Sequence, residues 1–268
     1  MRFHKPTGII LLWVPTAWAL WLANRGMPAM SLLIYFLLGT LSMRAAGCVM
    51  NDIADRHIDR HVKRTRSRPL TAGEIGLVEA LIVLFILLCI ALIIVIQLPV
   101  MCFYEALFAL IITCIYPFCK RFIQAPQLVL GIAFSMGIPM AYAASGTALD
   151  ETMAVLFGLN VAWILAYDTM YAMVDRDDDQ RIGVKSTAIL FAAYDRLIIG
   201  LLQCIFHGLW LFLGFFVARS SLFFSAWFIG LAIIIYQQYL LSVRTHDAYF
   251  RAFIISGWYG LVMWAGLM

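Results

Sequence analysis

Residues 76–96 read GLVEALIVLFILLCIALIIVI. Glu79 is the one charge, close to the start, and almost all the rest is Leu, Ile, Val, Ala and Phe. A helix of about 20 apolar residues crosses the ~30 Å hydrocarbon core of a bilayer. This stretch meets that length, and its apolar side chains surround the helix rather than forming one stripe. It predicts a transmembrane helix. Similar runs recur at roughly 8–24, 31–50, 99–117, 126–145, 152–174, 190–217, 221–243 and 250–267, so nine spans are expected. Pro28, Pro99, Pro126 and Ser145-Gly146 mark turns between them.

The composition agrees. Of 268 residues, 64% are hydrophobic and 13% charged, whereas a soluble domain is about half apolar and a quarter charged. A soluble fold and a disordered tail are both excluded. The spans leave no room for a second domain, so residues 1–268 are expected to form one transmembrane domain. The six cysteines show no CxxC or Cys/His zinc spacing and read as small apolar helix residues.

Of the nineteen Lys and Arg residues, all but Arg25, Arg44 and Arg219 fall before the first span or after the second, fourth, sixth and eighth. The positive-inside rule then puts the N-terminus and the long polar loops in the cytoplasm. For a bacterial chain this means the inner membrane.

Two of those loops are also acidic. Residues 51–70 read NDIADRHIDRHVKRTRSRPL, and residues 167–187 read YDTMYAMVDRDDDQRIGVKST. Asn51, Asp55 and Asp59 are spaced i, i+4, i+8, which on a helix keeps them on one face. Asp175 and Asp179 repeat the i, i+4 step, with Asp168 two turns earlier. Oxygen-only sets of this kind suit Mg²⁺, a hard ion that shares its coordination between carboxylates and substrate phosphates. Lys63, Arg64, Arg66 and Arg68 are placed to hold phosphate oxygens. Together these features point to a site for a metal-bound diphosphate. The blander reading is a solvated loop whose bases only set topology, but topology needs no aspartates. Each acidic set is preceded by two spans and followed by two more, which suggests two related four-helix halves plus a ninth helix. His57 and His61 form an HxxxH pair, but their neighbours are carboxylates and a zinc site is not expected. Glu105 reads as a snorkelling or hydrogen-bonded acid, and His207 as a satisfied packing residue.

At these residues the chain resembles the UbiA superfamily of membrane prenyltransferases, with its NxxxDxxxD and DxxxD motifs. KPTGIILLWVPTAWALW, MRAAGCVMNDIADRHIDRHVKRTRSRPL, YPFCKR and AYDTMYAMVDRDDDQRIGVKSTAILF are similar to the bacterial 4-hydroxybenzoate polyprenyltransferases of that superfamily. The resemblance implies an all-α membrane fold of nine helices with a cytoplasmic active site. It also implies Mg²⁺-dependent transfer of a polyprenyl group from polyprenyl diphosphate to the ring carbon ortho to the hydroxyl of 4-hydroxybenzoate, in ubiquinone biosynthesis. The expected partners are these two substrates and the lipid bilayer, with no nucleic acid and no obligate protein partner.

That chemistry assigns roles. Asn51, Asp55, Asp59, Asp175 and Asp179 would hold metal. Lys63, Arg64, Arg68, Lys120, Arg121 and Lys185 would hold the diphosphate. Arg44 lies two turns deeper than Asn51 on the same helix face, and an intramembrane Arg is a functional hypothesis by default. It is the candidate for the acceptor carboxylate, with Arg121 as rival; otherwise Arg44 pairs with an acid or snorkels. Asp168 would accept a hydrogen bond from the phenol, or else serve as a further metal ligand or as a partner of Arg44. Tyr171 is a second-rank catalytic candidate. Other acceptors used within the superfamily remain open, such as a naphthoate or a glycerol lipid. A secondary transporter is disfavoured because most ionisable groups lie at the span ends.

Overall fold

The computed structural model describes residues 6–62, 64–218 and 220–268. In chain order the helices are α1 (Thr7–Ala23), α2 (Met30–Asp55), α3 (Pro69–Ala72), α4 (Leu77–Val95), α5 (Val100–Phe122), α6 (Pro126–Ser135), α7 (Gly137–Ala144), α8 (Glu151–Ile182), α9 (Thr187–Phe191), α10 (Asp195–Leu213), α11 (Ser221–Val243) and α12 (His246–Ala265). No strand occurs among the described residues. Seven helical segments are long and apolar enough to cross a membrane: α2, α4, α5, α6 with α7, α8, α9 with α10, and α11. Of the other two runs, α1 is 17 residues long, and α12 carries His246, Asp247 and Arg251 in its first two turns.

Two spans and one motif residue depart from what the sequence predicts. Residues 126–145 break at Met136 into α6 and α7. Pro139 supplies the reason, because its ring crowds the carbonyl four residues back, at Ser135, where α6 ends. Residues 190–217 divide into α9, a 3₁₀ turn at Ala192–Tyr194, α10 and a π turn at Gly214–Ala218. Asp59 does not continue the helical face of Asn51 and Asp55. Helix α2 ends at Asp55, and Asp59 begins a separate 3₁₀ turn, Asp59–His61.

Helix α8 is the central strut, packed against α6, α10 and α12. Its apolar window is 56% covered by protein, against 11% for α4 and 17% for α5. At 1.5 Å per residue its 32 residues span about 48 Å, longer than the ~30 Å hydrocarbon core. The surplus carries Asp175 and Asp179. The helix stops at Gly183, whose φ of 72° suits a left-handed cap.

An aromatic hub joins α1, α8, α10 and α12. Trp18 meets Trp210 edge-on at 4.9 Å and Trp163 at 5.1 Å, and its indole N–H donates to the Gly260 carbonyl at 3.1 Å. A Cβ on Gly260 would come within 2.9 Å of Trp163 and Val14, so glycine sets how closely α12 approaches. In the membrane interior Gln203 donates to Gln237, which donates to Ser256 and the Ala252 carbonyl, each at 2.9 Å. His207 bonds the Tyr259 hydroxyl at 3.0 Å and stacks on Trp227, but its Nε2 has no partner among the described residues. It is therefore only half satisfied. Glu105 neither snorkels nor is fully hydrogen-bonded: it is buried, and its Oε2 is unpartnered.

Asp195, fully buried at the start of α10, accepts from Arg176 of α8 at 2.5 Å and from Arg244 after α11 at 2.8 and 3.0 Å. This triad fixes the protruding end of α8 to α10 and to the α11–α12 turn. Removing the acid leaves two arginines without counter-charge. Asp195→Ala is expected to cost about 2–4 kcal/mol, the lower part reflecting Arg244's half-exposed side chain. The check is the melting temperature in detergent, where an unchanged value would contradict the triad's role.

Candidate active site

Helices α2 and α8 bring their polar ends to one cavity of about 1160 Å³. Arg44 and Asn51 reach it from α2, Asp168 and Tyr171 from α8, and Arg64 and Arg68 from the segment between α2 and α3. The rest of the wall is largely apolar, including Phe85, Leu88, Leu92, Phe103, Leu107 and Leu110 of α4 and α5. The seven-residue step between Arg44 and Asn51, and between Asp168 and Asp175, returns to nearly the same helix face.

Three of the motif carboxylates, Asp55, Asp59 and Asp175, pair with bases rather than line the cavity, and two of those bases, Arg64 and Arg68, line it. Lys120 of α5 pairs with Asp55. Arg64 grips Asp175, with Nε 3.0 and 3.1 Å from its two oxygens and Nη2 also bonded. Its Nη1 donates to the Tyr171 hydroxyl at 2.5 Å, and the guanidinium lies 4.7 Å from that ring's centre. Arg68 bridges Asp59 at 2.5 Å and Asp52 at 3.1 Å. Burial works against the charge on Arg64, yet the Asp175 hydrogen bond and the neighbouring Tyr171 hold its pKa above the ordinary arginine value. Burial raises the pKa of Asp59 by more than Arg68 lowers it.

The remaining candidates lie further out. Arg121 is exposed, donates to the Ala54 carbonyl at 3.0 Å and sits over Phe118. Lys185 donates its ammonium to the Phe122 carbonyl at 2.9 Å, and its backbone N–H bonds the Lys120 carbonyl. Lys63 lies outside the described residues. His57 accepts from Arg56 at 3.0 Å, and His61 contacts the His57 carbonyl.

No three His, Cys, Asp or Glu side chains converge as a metal cage among the described residues. Asp55, Asp59 and Asp175 each face a base instead. The donor chemistry still fits a hard divalent ion. The ligands are oxygen, and Asp55 Oδ1 is buried with no hydrogen-bond partner among the described residues, which leaves lone pairs unspent.

The spacing argument passed over several residues. Asp52 adjoins Asn51 and lines the cavity, but it belongs to no i, i+4 series. Tyr116, inside the YPFCKR stretch, also lines it. Nothing in the local sequence links Asp195 to Arg176 and Arg244.

The model of the UbiA prenyltransferase family matches residues 12–264. A protein of Legionella pneumophila (strain Philadelphia 1) named 4-hydroxybenzoate octaprenyltransferase is 59% identical over 264 residues, covering 98% of this chain and 94% of its own. One of the same name from Tolumonas auensis is 49% identical, covering 100% and 93%. A UbiA homolog from Aeropyrum pernix shares the fold with a TM-score of 0.84 at 21% identity, over 96% of each chain. Another, from Archaeoglobus fulgidus and bound to GPP and Mg²⁺, gives 0.74 at 18% identity, over 98% and 97%. With a family match across nearly its full length and relatives this similar, the chain belongs to the UbiA prenyltransferase family and is a multi-pass membrane enzyme of prenyl transfer.

Proposed function

We propose that this enzyme is an aromatic prenyltransferase that moves a polyprenyl group from polyprenyl diphosphate to the carbon ortho to the hydroxyl of 4-hydroxybenzoate. Pyrophosphate leaves, and the product enters ubiquinone biosynthesis. The names of relatives at 59% and 49% identity support the acceptor. The observation that carries the reading is one cavity whose wall combines Asn51, Asp52, Arg64 and Arg68 of the motif segment, Arg44 and Asp168, and the apolar side chains of α4 and α5.

Asn51, Asp55, Asp59, Asp175 and Asp179 would hold Mg²⁺, which neutralises charge on the departing diphosphate. Arg64, Arg68 and Lys120 take diphosphate oxygens as the allylic C–O bond breaks and its electron pair leaves with pyrophosphate. Lys63, Arg121 and Lys185 add positive potential further out. The apolar wall keeps water from the allylic cation. Arg44 holds the acceptor carboxylate. Asp168 accepts a hydrogen bond from the phenol, raising the electron density of the ring, whose π electrons form the new C–C bond before the ring proton is lost. Tyr171, held by Arg64, flanks this end.

Residues 1–268 form one prenyltransferase domain in this reading. Helices α1 and α12 complete nine crossings of the bacterial inner membrane, and the motif ends of α2 and α8 mark two related halves. The concentration of Lys and Arg beside the motif loops supports a cytoplasmic active site.

Membranes containing the chain should form 3-prenylated 4-hydroxybenzoate with Mg²⁺ and none with EDTA; equal product in both would defeat the metal assignment. Asp55→Ala and Asp175→Ala should each lower turnover by at least roughly a hundredfold in folded, inserted protein. Normal turnover by either would remove it from the site. Arg44→Ala should raise KM for 4-hydroxybenzoate about ten- to a hundredfold, the scale of one charged hydrogen-bonded contact. An effect confined to the prenyl diphosphate would instead assign Arg44 to the leaving group.

A further inference from the structure

Gly8 lies in the first turn of α1, on the same cavity wall as Arg44. Glycine is a poor helix former, and here its φ is not positive, so no backbone turn calls for it. The space beside it does. A Cβ at position 8 would stand 2.2 Å from Arg44 Nη2 and 2.7 Å from both Cζ and Nε. The Nε–Nη2 edge of the guanidinium therefore rests against α1, in space that any other side chain would fill.

This contact bears on where the cation sits. Arg44 and Asp168 line one cavity, yet no hydrogen bond or ion pair of Arg44 is seen among the described residues. Opposite charges sharing a low-dielectric cavity attract strongly. With that edge against α1, the guanidinium has Nη1 left to meet a carboxylate in the cavity as a charge-assisted donor.

We infer that Gly8 is a positioning residue for acceptor binding: the missing side chain at position 8 seats Arg44 against α1 and so fixes where the acceptor carboxylate docks. This rests on the assignment of Arg44 to that carboxylate. An alanine here meets only the mobile end of a long side chain, so the protein folds and the guanidinium shifts away from α1. The donor diphosphate, held by other cations, is untouched.

The test is a double-mutant cycle on the full chain with Mg²⁺, measuring KM separately for 4-hydroxybenzoate and for polyprenyl diphosphate. Gly8→Ala should raise the acceptor KM roughly tenfold, the loss expected of one misaligned charged contact. The donor KM should stay within about twofold, and the melting temperature should be retained. In the Arg44→Ala background, Gly8→Ala should add less than about twofold, because coupled residues are not additive. An unchanged acceptor KM in Gly8→Ala, beside a raised one in Arg44→Ala, overturns this inference alone. An equal Gly8→Ala effect in both backgrounds also overturns it, since the effect would not pass through Arg44. No acceptor effect from Arg44→Ala overturns the carboxylate assignment and the inference with it. A lowered melting temperature in Gly8→Ala also overturns the inference, since position 8 would then matter to packing rather than to Arg44.

Discussion

Carboxylates at the ends of two membrane helices repel each other, and the weakly polar surroundings strengthen that repulsion. The ends of α2 and α8 and the turn after α2 can hold Asp55, Asp175 and Asp59 near one cavity because a base stands against each. The bases come from two places: Lys120 closes α5 onto α2, while Arg64 and Arg68 fold the segment after α2 back over the site. The same contacts thus set helix spacing and the charge pattern of the cavity. In the proposed reaction they are exchangeable. A diphosphate offers the cations more negative charge than one carboxylate does, and each carboxylate so released regains lone pairs for metal.

A second set of charges supports the first from behind. Asp195 is buried with both oxygens engaged, so its two arginines cannot reorient without leaving an acid unpaired. Arg176 adjoins Asp175 on α8. Whatever fixes Arg176 against α10 also fixes the angle at which α8 presents its motif. A buried ion triad contributes little net stability against its desolvation cost; what it supplies here is one definite position for a helix end that extends past its apolar span.

The apolar runs and the two motifs were legible because each is local: span length depends on about 20 neighbours, and an i, i+4 pair shares a face of any helix. What escaped was set across the fold. The expected diphosphate set already took Arg64 and Arg68 without Arg66, but the physical reason lies in the fold: tight turns between Val62 and Arg68 leave Arg66 exposed, while the other two line the cavity. Asp59 keeps its motif spacing but not its helix, and reaches the site through Arg68 instead. Met136 carries no breaking signal of its own; the cause is Pro139, one turn later. Gly8 is one glycine among eighteen in the sequence, and its meaning appears only when Arg44, 36 positions away, is seen lying against it.

The unequal cover of the bundle's helices suits the two substrates of the proposed reaction. Around α8 the helices are locked by the tryptophan hub, the Asp195 triad and close glycine contacts, and that side carries Asp168 and Tyr171. Helices α4 and α5, which line the apolar part of the cavity, are little covered by the rest of the protein. A rigid aromatic acid gains affinity from groups already held in place, because ordering them on binding would cost free energy. An isoprenoid chain has many rotatable bonds and no polar groups to match; it needs apolar volume more than a fixed shape. In the proposed reaction, a firmly held acceptor end and an apolar tail end walled by helices at the edge of the bundle meet one requirement, that selectivity be concentrated where the new carbon–carbon bond forms.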